Sequence, residues 1–205
     1  DGFTGVDDVF SGDPNYLDIY VDRPKRKELS AELGKRYEVI YTNIKKWSVG
    51  SPIQSPLDGV QAIMREHGVG AEDLDSMLIH LPTERVKTVD NRDMPDINLQ
   101  HLAAVMLLDG TVSFESSHKY ERMNDPKTKA LRGRISLAGS DMLSRARPGR
   151  QAIVEMVCKD GRKLKKRIRA VRGTADNPMT RHEVEDKAVD LMAPVLGSAR
   201  TRKLV

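Results

Sequence analysis

The sequence predicts an α+β fold, a two-layer sandwich in which an antiparallel or mixed sheet of about four to five strands carries helices on one face. Three observations predict it. Strand-like alternation recurs near residues 37–44, 75–81, 134–138, 151–158 and 163–171. Helical periodicity fills the gaps between the earlier segments. Asp160-Gly161, between the last two, is a hairpin signal because both central turn positions favour a positive φ. A chain of 205 residues, 39% hydrophobic and 31% charged, is large enough to bury a core.

The amino end reads as helical. Thr4 and Asp7 make an acidic capping box for a helix through Phe10. Asp13-Pro14 supplies an N-cap and an N1 proline for a second through Val21, and Pro24 opens a third that Gly34 stops. These helices hold few apolar residues, so residues 1–34 read as the trailing edge of a separate all-α domain. Asp1-Gly2-Phe3-Thr4 has neither an initiator methionine nor a secretory h-region, and is expected to continue a longer protein.

Residues 35–175 read as the α+β unit. Tyr37, Val39 and Tyr41 alternate with Glu38, Ile40 and Thr42 as a first strand. Ile53, Leu57, Val60 and Met64 follow at helical spacing, with Gly68 as the stop. Met77, Ile79 and Leu81 mark a second strand ended by Pro82, and Thr83 starts a short helix. Asp96 is the expected cap of an apolar helix, Ile97 to Leu108, closed by Asp109-Gly110. Ser113 caps a helix through about residue 122 and Asp125-Pro126 another through Leu131, before the strand at 134–138 and the closing hairpin. Residues 176–205 read as a helical return: Thr180 and Glu183 box the start of Arg181–Leu191, which extends towards Leu196 despite Pro194.

Composition narrows the function. One cysteine, Cys158, excludes an internal disulfide framework and suits a reducing, cytoplasmic setting. No apolar run is long enough to span a bilayer, so no membrane partner is expected. A net charge of +4 does not make a nucleic-acid binder without a patterned patch. The hairpin offers one, with Lys163, Lys165, Arg167 and Arg169 on one face, but without an aromatic residue for stacking and with Glu155 across from it. A solvated sheet face explains it more simply. The histidines are scattered, none at a metal-ligand spacing. Nucleophile elbows, phosphate loops and dinucleotide fingerprints are absent.

The stretch between the first strand and the first long helix holds the candidate site: Lys45, Lys46, Trp47, Ser48, Ser51 and Gln54. Free backbone N–H groups at a helix start favour an anion, and two lysines reinforce that attraction. The same lysines also read as solvated loop charges, and Trp47 reads equally as a site wall or a plug. His101, inside the apolar helix, is either a hydrogen-bonded core histidine or a proton carrier.

The run from Tyr37 through Lys45-Lys46-Trp47, Gln54 and Leu57-Asp58 resembles a segment of the MmgE/PrpD family, whose form reads Ile-Lys-Pro-Tyr-Pro, a later His, and Ile-Asp opening a helix. Leu99 to Gly110 is similar to the family's Leu-Pro-Tyr-Ala-Val-Ala-x-Ala-Leu-Leu-Asp-Gly helix, Asn177-Pro178-Met179 to its Asn-Pro-Leu segment, and Gly2-Phe3-Thr4-Gly5 to its Gly-Phe-Thr-Gly. The family includes 2-methylcitrate dehydratase, cis-aconitate decarboxylase and iminodisuccinate epimerase. The resemblance implies that this chain is the α+β lid of a metal- and cofactor-independent lyase or isomerase. Such an enzyme acts on a small polycarboxylate and is expected as a homodimer, with further acid/base residues in a helical domain. It implies Lys45 and His101 as catalytic residues, with Lys46, Trp47, Ser48, Ser51 and Gln54 around the substrate. Two departures stand out: Gln54 occupies the histidine place, and His101 the place of a tyrosine. The lid alone is expected to be inactive. A non-catalytic interaction or dimerisation module is the alternative, and a nucleic-acid-binding hairpin a distant third.

Overall fold

The computed structural model describes Gly2 and residues 4–205; Asp1 and Phe3, in the Gly-Phe-Thr-Gly stretch, lie outside the described residues. The chain divides into two compact units, Asp1–Ile40 and Tyr41–Val205.

The first unit carries less helix than its sequence predicts. Residues 4–10 are irregular. The helix after Pro14 is one short segment, α1 (Tyr16–Tyr20), capped by Asn15 rather than Asp13, with the Leu17 N–H donating to the Asn15 side chain at 3.0 Å. The third helix reduces to a 3-10 turn, Arg26–Leu29. With no residue of these turns buried, packing does not sustain longer helices, which are marginal without it.

The predicted strand at 37–44 is a correction. Glu38–Tyr41 forms a 3-10 turn, and Val39 and Ile40 are each 70% exposed. Alternation describes a strand only where a sheet edge takes up its backbone groups, and among the described residues no strand pairs there.

The second unit holds the sheet. α2 (Gln54–His67) precedes β1 (Leu74–Pro82) and α3 (Thr83–Val89). α4 (Leu99–Asp109), α5 (Phe114–His118), α6 (Tyr120–Asn124) and α7 (Pro126–Arg132) make the crossover to β2 (Ile135–Ser140). α8 (Asp141–Arg145), β3 (Ala152–Cys158), β4 (Lys163–Ile168), α9 (Arg181–Leu196) and α10 (Ser198–Leu204) complete it. Spatial order is β2-β1-β3-β4, with β1 parallel to β2 and antiparallel to β3, so the sheet is mixed.

Two boundaries differ from expectation, and two helices are added. Asn98, not Asp96, caps α4, its side chain accepting the His101 N–H at 2.9 Å after a 3-10 turn at Pro95–Ile97. The helix after Ser113 breaks at Lys119. Lys119 there takes extended backbone angles, φ −77° and ψ 112°, while the Ser117 hydroxyl donates to the Phe114 carbonyl at 3.0 Å. α8 and α10 are short additions that periodicity did not mark.

Met77, Ile79 and Leu81 of β1 and Ala152, Val154 and Met156 of β3 point to the helical layer and are buried. α2 lies over β3 and β4, with α4 packed between α2 and α7. Gly59 allows the close approach: a Cβ there would sit 2.7 Å from a methyl of Val154. On the open face the hairpin basic residues meet acid, Glu155 standing opposite Lys165 with 2.7 Å between their charged atoms. That lysine holds the Glu155 carboxyl below its usual range. Cys158 is buried, and burial pushes its thiol up, as fits a packing role.

Candidate functional site

The segment Lys45–Gly50 enters α2 as a tightly held loop. Gln54, in the first turn, spends its carboxamide on it: Nε2 donates to the carbonyls of Trp47 at 2.9 Å and Val49 at 3.2 Å, while Oε1 accepts the Trp47 N–H at 3.1 Å. One turn later the Asp58 carboxylate accepts the Trp47 indole N–H at 3.1 Å and the backbone N–H of Arg172 at 3.2 Å, and lies 3.4 Å from the Lys46 ammonium. Lys46 also donates to Gln61 at 2.8 Å and sits 4.4 Å from the Trp47 ring centroid.

Burial pushes the Lys46 ammonium down and the Asp58 carboxyl up, while each opposes the other's shift by attraction. The pair is therefore costly to desolvate and is held by the hydrogen bonds around it. Arg172 extends the network to α9: its guanidinium meets the Glu183 carboxylate with both ends and donates to Asn177 at 2.7 Å. The Arg172 hydrogen bond holds the Glu183 pKa at about 2. Behind Arg172 the chain must pass close to the loop. A Cβ on Gly173, at φ +91°, would overlap the Ile44 carbonyl oxygen at 1.8 Å.

Lys45 differs from its neighbour. It is exposed, donates to the Val49 carbonyl at 3.2 Å, and has no acidic partner among the described residues. The Lys187 ammonium of α9 donates to the Lys45 carbonyl, and burial together with the Lys45 charge lowers its pKa. Lys46, Trp47 and Ser48, but not Lys45, line a hollow of about 330 Å³ with Lys187 and the acids Asp186 and Asp190. Ser51 opens instead onto a crevice of about 410 Å³ beside Leu81.

His101 is not brought to these groups. It is 0% exposed, neither ring nitrogen has a partner among the described residues, and it lines neither hollow. Burial, with Arg132 and Arg122 as nearby cations, lowers its pKa to about 4. In place of the hydrogen-bonded core histidine the sequence offers, the ring is a core imidazole without a hydrogen-bond partner among the described residues.

Sequence reasoning missed the centrality of Asp58. A signal existed: Gln54, Asp58, Gln61 and Arg65 recur at helical spacing as a polar stripe along an otherwise apolar helix. The roles of Arg172, Glu183 and Lys187 had no comparable signal, because tertiary structure alone joins α9 to the loop.

A comparison with protein families matches the MmgE/PrpD C-terminal domain over residues 47–205. Among curated proteins no match is found.

Proposed function

Since the chain belongs to the MmgE/PrpD family through its C-terminal domain, we propose that it is the substrate-closing α+β portion of a metal-independent lyase or isomerase acting on a small polycarboxylate. The observation that carries this reading is the contrast between the two lysines: Lys46 is spent on Asp58, whereas Lys45 presents an ammonium without an acidic partner among the described residues. Proton removal beside a carboxylate builds an enolate-like transition state whose charge gathers on the carboxylate oxygens. A pre-placed ammonium stabilises that charge more than it stabilises the ground state.

In this reading Lys45 receives the substrate carboxylate, while Trp47 and Ser48 shape the wall. Lys46 and Gln54 act by fixing the loop. The proton-accepting group comes from the helical domain that the family resemblance implies. The test is Lys45→Ala in the complete protein, assayed on C4–C7 hydroxy- and unsaturated polycarboxylates. Turnover should fall by about 100-fold with the melting temperature unchanged. Undiminished turnover would remove Lys45 from the site.

An interaction module is the second reading, favoured by Leu191 and Val195 of α9, which are 38% and 82% exposed one turn apart. Gel filtration of Val195→Glu beside the parent would reveal it as a smaller assembly.

A further inference from the structure

Where β1 and β2 end side by side, their continuations stay together: the Thr83 N–H donates to the Ser144 hydroxyl at 3.0 Å and the Thr83 hydroxyl to Asp141 at 2.7 Å. β1 runs through Pro82 into α3, and β2 through Ser140 into α8, while the loop after α8 turns back into β3 beside β1. α3, α8 and that loop border a crevice of about 410 Å³. Its floor is apolar, from Leu81 and Leu143, each 1% exposed. Its rim carries three guanidinium groups: Arg85 from α3, and Arg147 and Arg150 from the loop.

The loop is held from behind. Arg150 has φ +64°, and its carbonyl accepts the hydroxyl of the buried Ser55 at 2.6 Å. The buried Gln151 donates to the carbonyls of Arg147 at 3.3 Å and Pro148 at 3.0 Å. A positive φ at a non-glycine residue is unfavourable and persists because these anchors impose it. The positive charge in the crevice is left over: Glu84 is its one lining acid, 3.9 Å from Arg85 and already accepting the Ser144 hydroxyl at 2.8 Å. Arg147 and Arg150 have no acidic partner among the described residues, whereas Arg36, Arg122, Arg162, Arg172 and Arg181 each do.

We propose that this crevice is a binding site for a small carboxylate-bearing molecule. Arg85, Arg147 and Arg150 take its oxygens, the Leu81–Leu143 floor takes its carbon body, and binding does not depend on Lys45. Planar guanidinium forks match carboxylate geometry, and an anion relieves the repulsion among three like charges.

The test is calorimetric titration of the protein with citrate and, separately, with inorganic phosphate. The titrations are repeated for Arg85→Ala/Arg150→Gly, in which glycine keeps the left-handed backbone, and for Lys45→Ala. Citrate should bind the parent and Lys45→Ala alike, and the double variant at least about tenfold more weakly, with phosphate weaker than citrate throughout. Arg85→Ala alone, on an exposed helix surface, should show part of the loss and serves if the double variant misfolds. Three results would each overturn the proposal: no citrate binding to the parent, loss of binding in Lys45→Ala with the arginine variants unaffected, or phosphate binding as tightly as citrate.

Discussion

Gln54 and His101 both occupy places that the family resemblance fills with other side chains, and their environments set their physics. Gln54 satisfies three backbone groups of the loop that carries Lys45, an exchange a titratable histidine could make only in part. His101 is the opposite case, a buried imidazole with both nitrogens unpartnered. Its pKa in the folded chain, about 4, lies below the unfolded value of 6.5, so the unfolded chain binds more protons between those limits. Stability contributed by neutral His101 is complete above pH 6.5 and is lost as pH falls towards 4, by about 3 kcal/mol over that window. His101→Leu should therefore flatten the stability-versus-pH curve there, and at pH 7 should be neutral or stabilising by about 1 kcal/mol. Urea denaturation at pH 7, 5.5 and 4.5 checks this, and an unaltered pH slope would show that the imidazole finds a partner.

At the scale of elements, α2 is the organising piece. Its apolar stripe of Leu57, Val60 and Ile63 seats it on the sheet, and its polar stripe of Gln54, Asp58 and Gln61 holds the loop. The same helix carries the candidate site and covers β3 and β4. Gly59 sets its distance from the sheet. Alanine is the better helix former by about 1 kcal/mol, yet Gly59→Ala should lower stability by about 1–3 kcal/mol, because the new methyl meets a branch of the buried Val154. Adding Val154→Ala should recover part of that loss. A double-mutant cycle in urea measures the coupling, and simple additivity would show that α2 shifts freely on the sheet.

For the whole molecule, the sheet and its helical layer belong to the unit Tyr41–Val205, and among the described residues none of the core cluster precedes Trp47. A chain beginning at Tyr41 should keep one cooperative thermal transition, with its midpoint within about 3 °C of the parent. Loss of cooperativity by circular dichroism would show that residues 1–40 complete the core. Among the described residues no helix is long and apolar enough to cross a membrane.

Local pattern in the chain accounts for the elements whose signal lies in neighbouring residues and whose burial is strong. These are the second, third, fourth and fifth predicted strands, the hairpin at Asp160-Gly161, the helix stops at Gly68 and Gly110, and the Thr180–Glu183 box. Each rests on a period or a cap contained within a few neighbouring residues. Tertiary structure alone decided that residues 37–44 form no strand, because a strand is defined by a partner that alternation cannot supply. It also decided which lysine is free. Lys45 and Lys46 are adjacent and chemically identical in the sequence, and only the arrival of Asp58 and Gln61 beside one of them, and of α9 beside the other, separates a structural cation from a candidate ligand for an acid. Charge is written residue by residue, but its availability depends on which opposite charges the fold brings within a few ångströms.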